Sequence, residues 1–280
     1  LAFRWLFHKD VVFYINTLLP IGPALAGRII GKHVVYHYHE NAFVKGAFYK
    51  ALATAMQKLA HEIICVSEYQ ASFLQQKKCV ITVPNALPQN FVNRLTPNFQ
   101  AAFKRKHILM LGSLKLYKSP LEFIELTKRL PQFIFVLVIN DTKENINIFI
   151  KEYKINISKN LTIYPQQNDV VPFYNQTSLV LNLSNKKQFV ETFGLTALEA
   201  MSAGLPVIVP TEGGIAEMVV DGENGYKIDV QNLNQIAECI KTILSDETLY
   251  MELAQNALAY SKRFSEAKMV NSIEMILNRK

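Results

Sequence analysis

At 280 residues, half of them apolar and 19% charged, the chain has the composition of a globular protein with room for two domains. Its net charge of +7 is carried by dispersed Lys and Arg residues. That argues against a nucleic-acid partner and leaves three readings open: an anionic lipid, an acidic nucleotide-sugar, or nothing specific. Cys65, Cys79 and Cys239, the three cysteines, are too scattered for a disulfide framework or a metal cluster, and point to a reducing, cytosolic setting.

The chain begins at Leu1, inside LAFRWLF and without a secretory leader pattern, so a fragment of a longer protein is expected. Val11–Ile30 approaches the ~20 apolar residues of a membrane span. Asn16, Thr17, two prolines, two glycines and Arg28 break it into strand, loop and short helix. Strands are then expected at Val11–Ile15, His33–Glu40, Ile63–Val66 and Cys79–Val83, separated by helices at Gly22–Ile30, Ala47–Ala60 and from Ser67. Leu87–Gln100, rich in Pro and Asn and without helical period, reads as a linker. A second alternating series follows, with strands at His107–Leu111, Phe133–Ile139, Leu161–Tyr164, Leu179–Leu183 and Val207–Val209. It closes with helices at Leu233–Leu244, Asp246–Phe264 and Ser265–Lys280. Alternation of this kind predicts parallel sheets covered by helices on both faces.

The most informative stretch is Gln188–Gly225. A helix is predicted from Thr192, whose hydroxyl would cap it, to Gly204, with Pro206 preventing continuation into the strand VIV. Thr192, Leu195, Thr196, Glu199 and Ser202 fall on one face, and Phe193, Ala197, Ala200 and Met201 on the core-facing side. The unpaired N–H groups of Phe193–Thr196, with the positive end of the helix dipole, would make a phosphate site. No Asp-x-Asp occurs and the acids do not cluster with histidines at metal spacing, so no metal site is expected.

Glu191 and Glu199, separated by seven residues within EtFGLtaLEAmsaGlPViv and followed by GG and DGENG, resemble the signature of retaining glycosyltransferases of family four, which have the GT-B fold. The resemblance runs best from about His107 to Phe264. It implies an α/β fold of two Rossmann-like, doubly wound parallel-sheet domains facing across a cleft. The first would be incomplete, since the family's N-terminal half normally opens with two or three further βα units. The implied domains are 1–95 on the acceptor side, 96–264 binding the nucleotide-sugar, and a helix at 265–280 crossing back to the first.

The resemblance also assigns roles. Glu199 would receive the ribose hydroxyls, Glu191 would sit at the donor sugar, and Phe193, Gly194, Leu195 and Thr196 would present N–H groups to sugar and phosphate. GSLKLYKSP (Gly112–Pro120) resembles the family's G-R-L-x-x-x-K-G. Lys118 stands where the Lys holds the diphosphate, Ser113 replaces the Arg and Ser119 the second Gly. Lys115 is a candidate substitute for the Arg. His39, followed by Glu40, matches the family's histidine facing the sugar, and His37 would point the same way. Ser67, Asn85 and Ser184 match cleft-lining positions. Each has a plainer alternative: a helix-start acid for Glu191, a surface glutamate for Glu199, a solvated lysine for Lys118, a packed histidine for His39. Gly213-Gly214 serves equally as a close-approach site or as a turn.

The implied activity is transfer of a sugar from a nucleotide-diphosphate donor to a hydroxyl acceptor, with retention and without metal or other cofactor. The acceptor would be a glycan or glycolipid, such as a surface polysaccharide or lipopolysaccharide precursor. The alternatives are a GT-B epimerase or hydrolase acting on the nucleotide-sugar, and a non-catalytic nucleotide- or glycan-binding module. A cytoplasmic location is expected, with peripheral contact at the inner face of the plasma membrane through Trp5, Phe43 and the positive charge.

Overall fold

The computed structural model describes His8 and residues 10–42, 46–75 and 79–279; Trp5 and Phe43 lie outside the described residues. Contacts divide the chain into two units, 1–86 with 266–280, and 87–265.

The first unit alternates β1 (Val12–Asn16), α1 (Ile21–Ile29), β2 (His33–Tyr38), α2 (Ala47–Leu59), β3 (Glu62–Cys65), α3 (Glu68–Ser72) and β4 (Val80–Thr82). The strands pair in parallel in the order β1-β2-β3-β4. β2 is buried along nearly its whole length, as a strand between two parallel neighbours and two helical layers must be. On one face Tyr36, Tyr38, Ile63 and Cys65 pack with Ala24, Ala53 and Met56 from α1 and α2. On the other, Val35, Ile64 and Val83 are covered by Met269, Ile273, Ile276 and Leu277 of α13 (Glu266–Leu277). The last helix of the chain thus completes the first unit.

The second unit begins with α4 (Gln89–Val92) and α5 (Phe99–Arg105), so the stretch read as a linker carries helix. Asn98 starts α5 by accepting the Ala101 N–H at 3.0 Å, a local cap that periodicity cannot reveal. Then come β5 (His107–Gly112), α6 (Pro120–Arg129), β6 (Ile134–Ile139), α7 (Lys143–Glu152), β7 (Leu161–Tyr164), α8 (Val171–Asn175) and β8 (Leu179–Leu181). α9 (Leu195–Ser202), β9 (Val207–Val209), α10 (Gly214–Glu217), β10 (Gly225–Lys227), α11 (Leu233–Ser245) and α12 (Glu247–Ser261) complete it. β10, three residues that start at the last glycine of DGENG, is too short to show a strand pattern in sequence.

The six strands are parallel and ordered β10-β9-β8-β5-β6-β7. Counted within the unit, that is the doubly wound order in which successive connections run outward from the middle in both directions. β5 and β8 are the middle pair. Among the described residues no helix is long and apolar enough to cross a membrane.

Candidate active site

The connections leaving β5 and β8 diverge, and the carboxyl ends of two such strands are the usual ligand position in sheets of this kind. The two loops that emerge there are tied together. The Asn185 N–H donates to the Tyr117 carbonyl at 2.8 Å, and the rings of Tyr117 and Phe189 stack at 4.9 Å. The Lys118 ammonium lies 4.2 Å from the centre of the Phe189 ring and forms an ion pair with Glu191. The Ser184 hydroxyl donates to the same Glu191 oxygen at 3.1 Å. With side chains 23% and 17% exposed, Lys118 and Glu191 are partly desolvated yet still open to a ligand.

The backbone around Glu191 is held by glycine. Gly213 has φ +106°, and a Cβ there would lie 2.5 Å from the Glu191 carbonyl oxygen. Both readings of this glycine therefore hold, a left-handed turn and a close approach. Gly194, at φ +96°, would bring a Cβ within 2.4 Å of Ile215 Cγ1.

Gly194 also sets where the helix begins. α9 starts at Leu195, three residues after the predicted Thr192, and has no side-chain cap. Phe193 is the physical reason: it is 5% exposed and packs edge-on against Phe264 at 5.8 Å, holding the chain off the helical path until Gly194 turns it. Ser202, expected on the polar face, is buried with Ala197, Leu198, Ala200 and Met201.

α5, α7, α11 and α12 open on the capping side chains of Asn98, Thr142, Asn232 and Asp246. At α9 the N–H groups of Phe193, Gly194, Leu195 and Thr196 find no acceptor among the described residues, whereas those of Ala197 and Leu198 bond to the Gly194 carbonyl. Several donors at the positive end of a helix, unpaired among the described residues, are chemically suited to a multiply charged anion.

One turn further along, Glu199 is half-buried, and the buried Tyr174 hydroxyl donates to its Oε2. Burial raises its carboxyl above the usual range, and the tyrosine bond opposes that rise. Thr196 accepts from the Asn182 amide at 3.3 Å, which ties α9 to the end of β8. Ser113, in the position expected for an arginine, directs its oxygen at the Lys115 N–H, 3.4 Å away. Lys115 is exposed. Ser119 takes the left-handed conformation of a glycine (φ +56°), and its fully buried hydroxyl has no partner among the described residues.

Residues 94–260 match the family of glycosyl transferases group 1. The chain belongs to that family. A glycosyltransferase of Methanocaldococcus jannaschii is 27% identical over 267 residues, covering 91% of this chain and 71% of that protein. The N-acetyl-alpha-D-glucosaminyl L-malate synthase of Bacillus anthracis is 30% identical over 142 residues, covering 50% of this chain and 36% of that one. Among solved structures, HepE of Anabaena in complex with UDP and glucose superposes with a TM-score of 0.81 at 20% identity, covering 100% of this chain and 81% of that one. The sucrose-phosphate synthase of Thermosynechococcus elongatus superposes at 0.76 and 19% identity, covering 98% and 74%. These neighbours share the GT-B fold, and the chain has it.

Within this group 1 glycosyltransferase the sequence-derived residues fall into separate sets. Lys118 and Glu191 meet directly; Glu199 is tied to α8; His39 lies in the first unit, just past β2. There His39 Nε2 is 2.6 Å from Asn16 Oδ1, and its ring stands 4.1 Å from that of His37. His37 is 5% exposed, has Nδ1 2.5 Å from the Tyr14 hydroxyl, and leaves Nε2 buried without a partner among the described residues. Burial, then the neighbouring His39, pushes the His37 pKa down to about 4. Tyr174, Tyr117 and Phe189 were not anticipated. The aromatic at 189, two residues before Glu191, was the one local signal; nothing near Tyr174 in sequence marks it.

Proposed function

We propose that this glycosyltransferase moves a sugar from a nucleoside-diphosphate donor to a hydroxyl acceptor with retention at the anomeric carbon. The observation that carries the reading is the set of N–H groups from Phe193 to Thr196 that are unbonded among the described residues and follow Glu191, the ion-pair partner of Lys118. The diphosphate rests on those donors and on the Lys118 ammonium, Glu199 accepts the ribose hydroxyls, and Glu191 lies against the sugar. The bond from the anomeric carbon to the diphosphate oxygen breaks, and its electron pair departs on that oxygen. The acceptor oxygen bonds to the same face of the carbon and yields its proton to the departing phosphate. Lys118 and the helix end stabilise charge where it grows, so no metal is required.

Uridine is the base to try first, because HepE was solved with UDP and with UDP-glucose. The acceptor is a glycan or glycolipid, in keeping with the family's polysaccharide chemistry. A binding module without turnover is the second reading, motivated by Ser113 in place of an arginine. Thermal shifts with UDP, GDP and ADP on wild type and Glu199→Ala test the site, since a ligand of the native state raises the melting temperature. A shift specific to one base and lost in the variant supports it; equal shifts in both proteins refute it. Turnover of the bound donor only when an acceptor is added separates transfer from hydrolysis, and its persistence in chelator tests metal independence.

A further inference from the structure

We infer that Tyr174 is a positioning residue for the donor: its hydroxyl holds one oxygen of Glu199 and so aims the carboxylate at the ribose. The inference rests on the ribose-binding reading of Glu199. Tyr174 is 1% exposed, and its hydroxyl donates to Glu199 Oε2. A buried phenol needs only one ordinary partner. For two others the backbone supplies it: Tyr250 donates to the Ser178 carbonyl at 2.8 Å, and the Tyr38 hydroxyl accepts the Ala42 N–H at 2.9 Å; the buried Tyr36 hydroxyl has no partner among the described residues.

Pairing Tyr174 with a carboxylate is the costlier choice, because the carboxylate must be drawn out of water. Burial is the largest influence on the Glu199 carboxyl, and the Tyr174 hydrogen bond is what favours its charged form. That cost has a return if the charge is used. A carboxylate offers about four acceptor positions, of which the tyrosine takes one, leaving enough for two ribose hydroxyls.

The tyrosine is itself held still. Phe91 packs edge-on against its ring at 6.4 Å. Next to it, Asn175 fastens α8 at both ends of its amide, accepting the Thr96 N–H at 2.9 Å and donating to the Arg94 carbonyl at 3.1 Å. A glutamate clamped by a rigid partner has already lost the rotamer freedom that ligand binding would otherwise remove.

The test compares binding of the ribose and 2′,3′-dideoxyribose forms of whichever of UDP, ADP and GDP the wild-type chain binds. Calorimetry is run on wild type, Tyr174→Phe, Glu199→Gln and the double variant, with donor kinetics alongside. Wild type is expected to prefer the ribose form at least about tenfold, the worth of one hydrogen bond to a charged group. Tyr174→Phe is expected to lose most of that preference and raise the donor KM, with kcat within about twofold. The double variant should lose no more than Glu199→Gln alone, the mark of a coupled pair. A wild-type ribose preference in Tyr174→Phe overturns the inference while leaving the Glu199 reading intact. Absence of any ribose preference in wild type overturns both. Should Tyr174→Phe not fold, Tyr174→3-fluorotyrosine keeps the ring and makes the hydroxyl a stronger donor; an unchanged ribose preference there also overturns the inference.

Discussion

Lys118 and Glu191, 73 residues apart in sequence, form an ion pair between the loop after β5 and the loop that leads into α9. The cation assigned to the diphosphate is therefore already engaged by the carboxylate assigned to the sugar. A bound diphosphate has to share Lys118 with Glu191, whose negative charge also repels it. Glu191→Gln is expected to bind the nucleoside diphosphate several-fold more tightly while transfer falls at least about a hundredfold, a loss of transition-state rather than ground-state stabilisation. Calorimetry and single-turnover rates check both halves. Weaker diphosphate binding in the variant contradicts this account of the pair.

A helix terminus supplies only about half a charge, so most of the electrostatic attraction falls to Lys118. Lys118→Ala removes a charged hydrogen bond of roughly 1.5–3 kcal/mol, at least about tenfold in diphosphate affinity. Ser113→Arg supplies the guanidinium that this chain lacks and is expected to tighten binding about tenfold. Titration of both variants with the same nucleotide decides. An inert Ser113→Arg would mean that the side chain at 113 cannot reach the phosphates.

Ser119 carries two costs at one position: φ +56° and a fully buried hydroxyl without a partner among the described residues. Ser119→Gly removes about 1 kcal/mol of backbone strain and the similar cost of an unsatisfied hydroxyl, against about 0.5–1 kcal/mol of added chain entropy. A net stabilisation of about 1 kcal/mol is expected, raising the melting temperature by about 3 °C. Calorimetric melting of the two proteins checks it, and a lower melting temperature for the variant rules it out.

His37 makes stability depend on pH. Its pKa is about 4 in the fold, below the ordinary value of 6.5, because burial penalises the imidazolium and His39 stands beside it. Above pH 6.5 the ring is neutral in both folded and unfolded chains. As pH falls from 6.5 towards 4 the unfolded chain takes up a proton that the folded one refuses, so stability is lost across that window, by up to about 3 kcal/mol. The His39 pKa is also lowered, by burial, and adds to the loss in the same direction. Urea unfolding from pH 4 to 8 should show this acid limb, and His37→Gln should flatten it. An equally steep limb in the variant would assign it to other groups.

The parts of the site that lie within one continuous stretch were legible before any coordinates. The candidates Glu191, Gly194, Glu199 and Lys118 came from the resemblance of EtFGLtaLEAmsaGlPViv and GSLKLYKSP to family motifs, since two glutamates at a bare spacing recur by chance. The helix start was misread because Thr192 is a good capping residue by type. What displaced it was the burial of Phe193 against Phe264, a contact between residues 71 positions apart by numbering. The Tyr174–Glu199 bond was invisible for a related reason: a tyrosine in a five-residue helix has no local pattern that names its partner.

Alternating apolar strands and amphipathic helices determined by themselves that the chain builds parallel α/β sheets, because only that layering buries both faces of such strands. They also placed a helix opening and an acid pair next to one another, since these are a few bonds apart. Which strands became neighbours was decided only in three dimensions. Five similar apolar segments carry no mark of their order, and the sixth strand, Gly225–Lys227, is not an apolar segment. Setting β5 beside β8 is what brought Lys118 to Glu191, and bringing α8 within hydrogen-bond reach of α9 is what gave Glu199 its tyrosine.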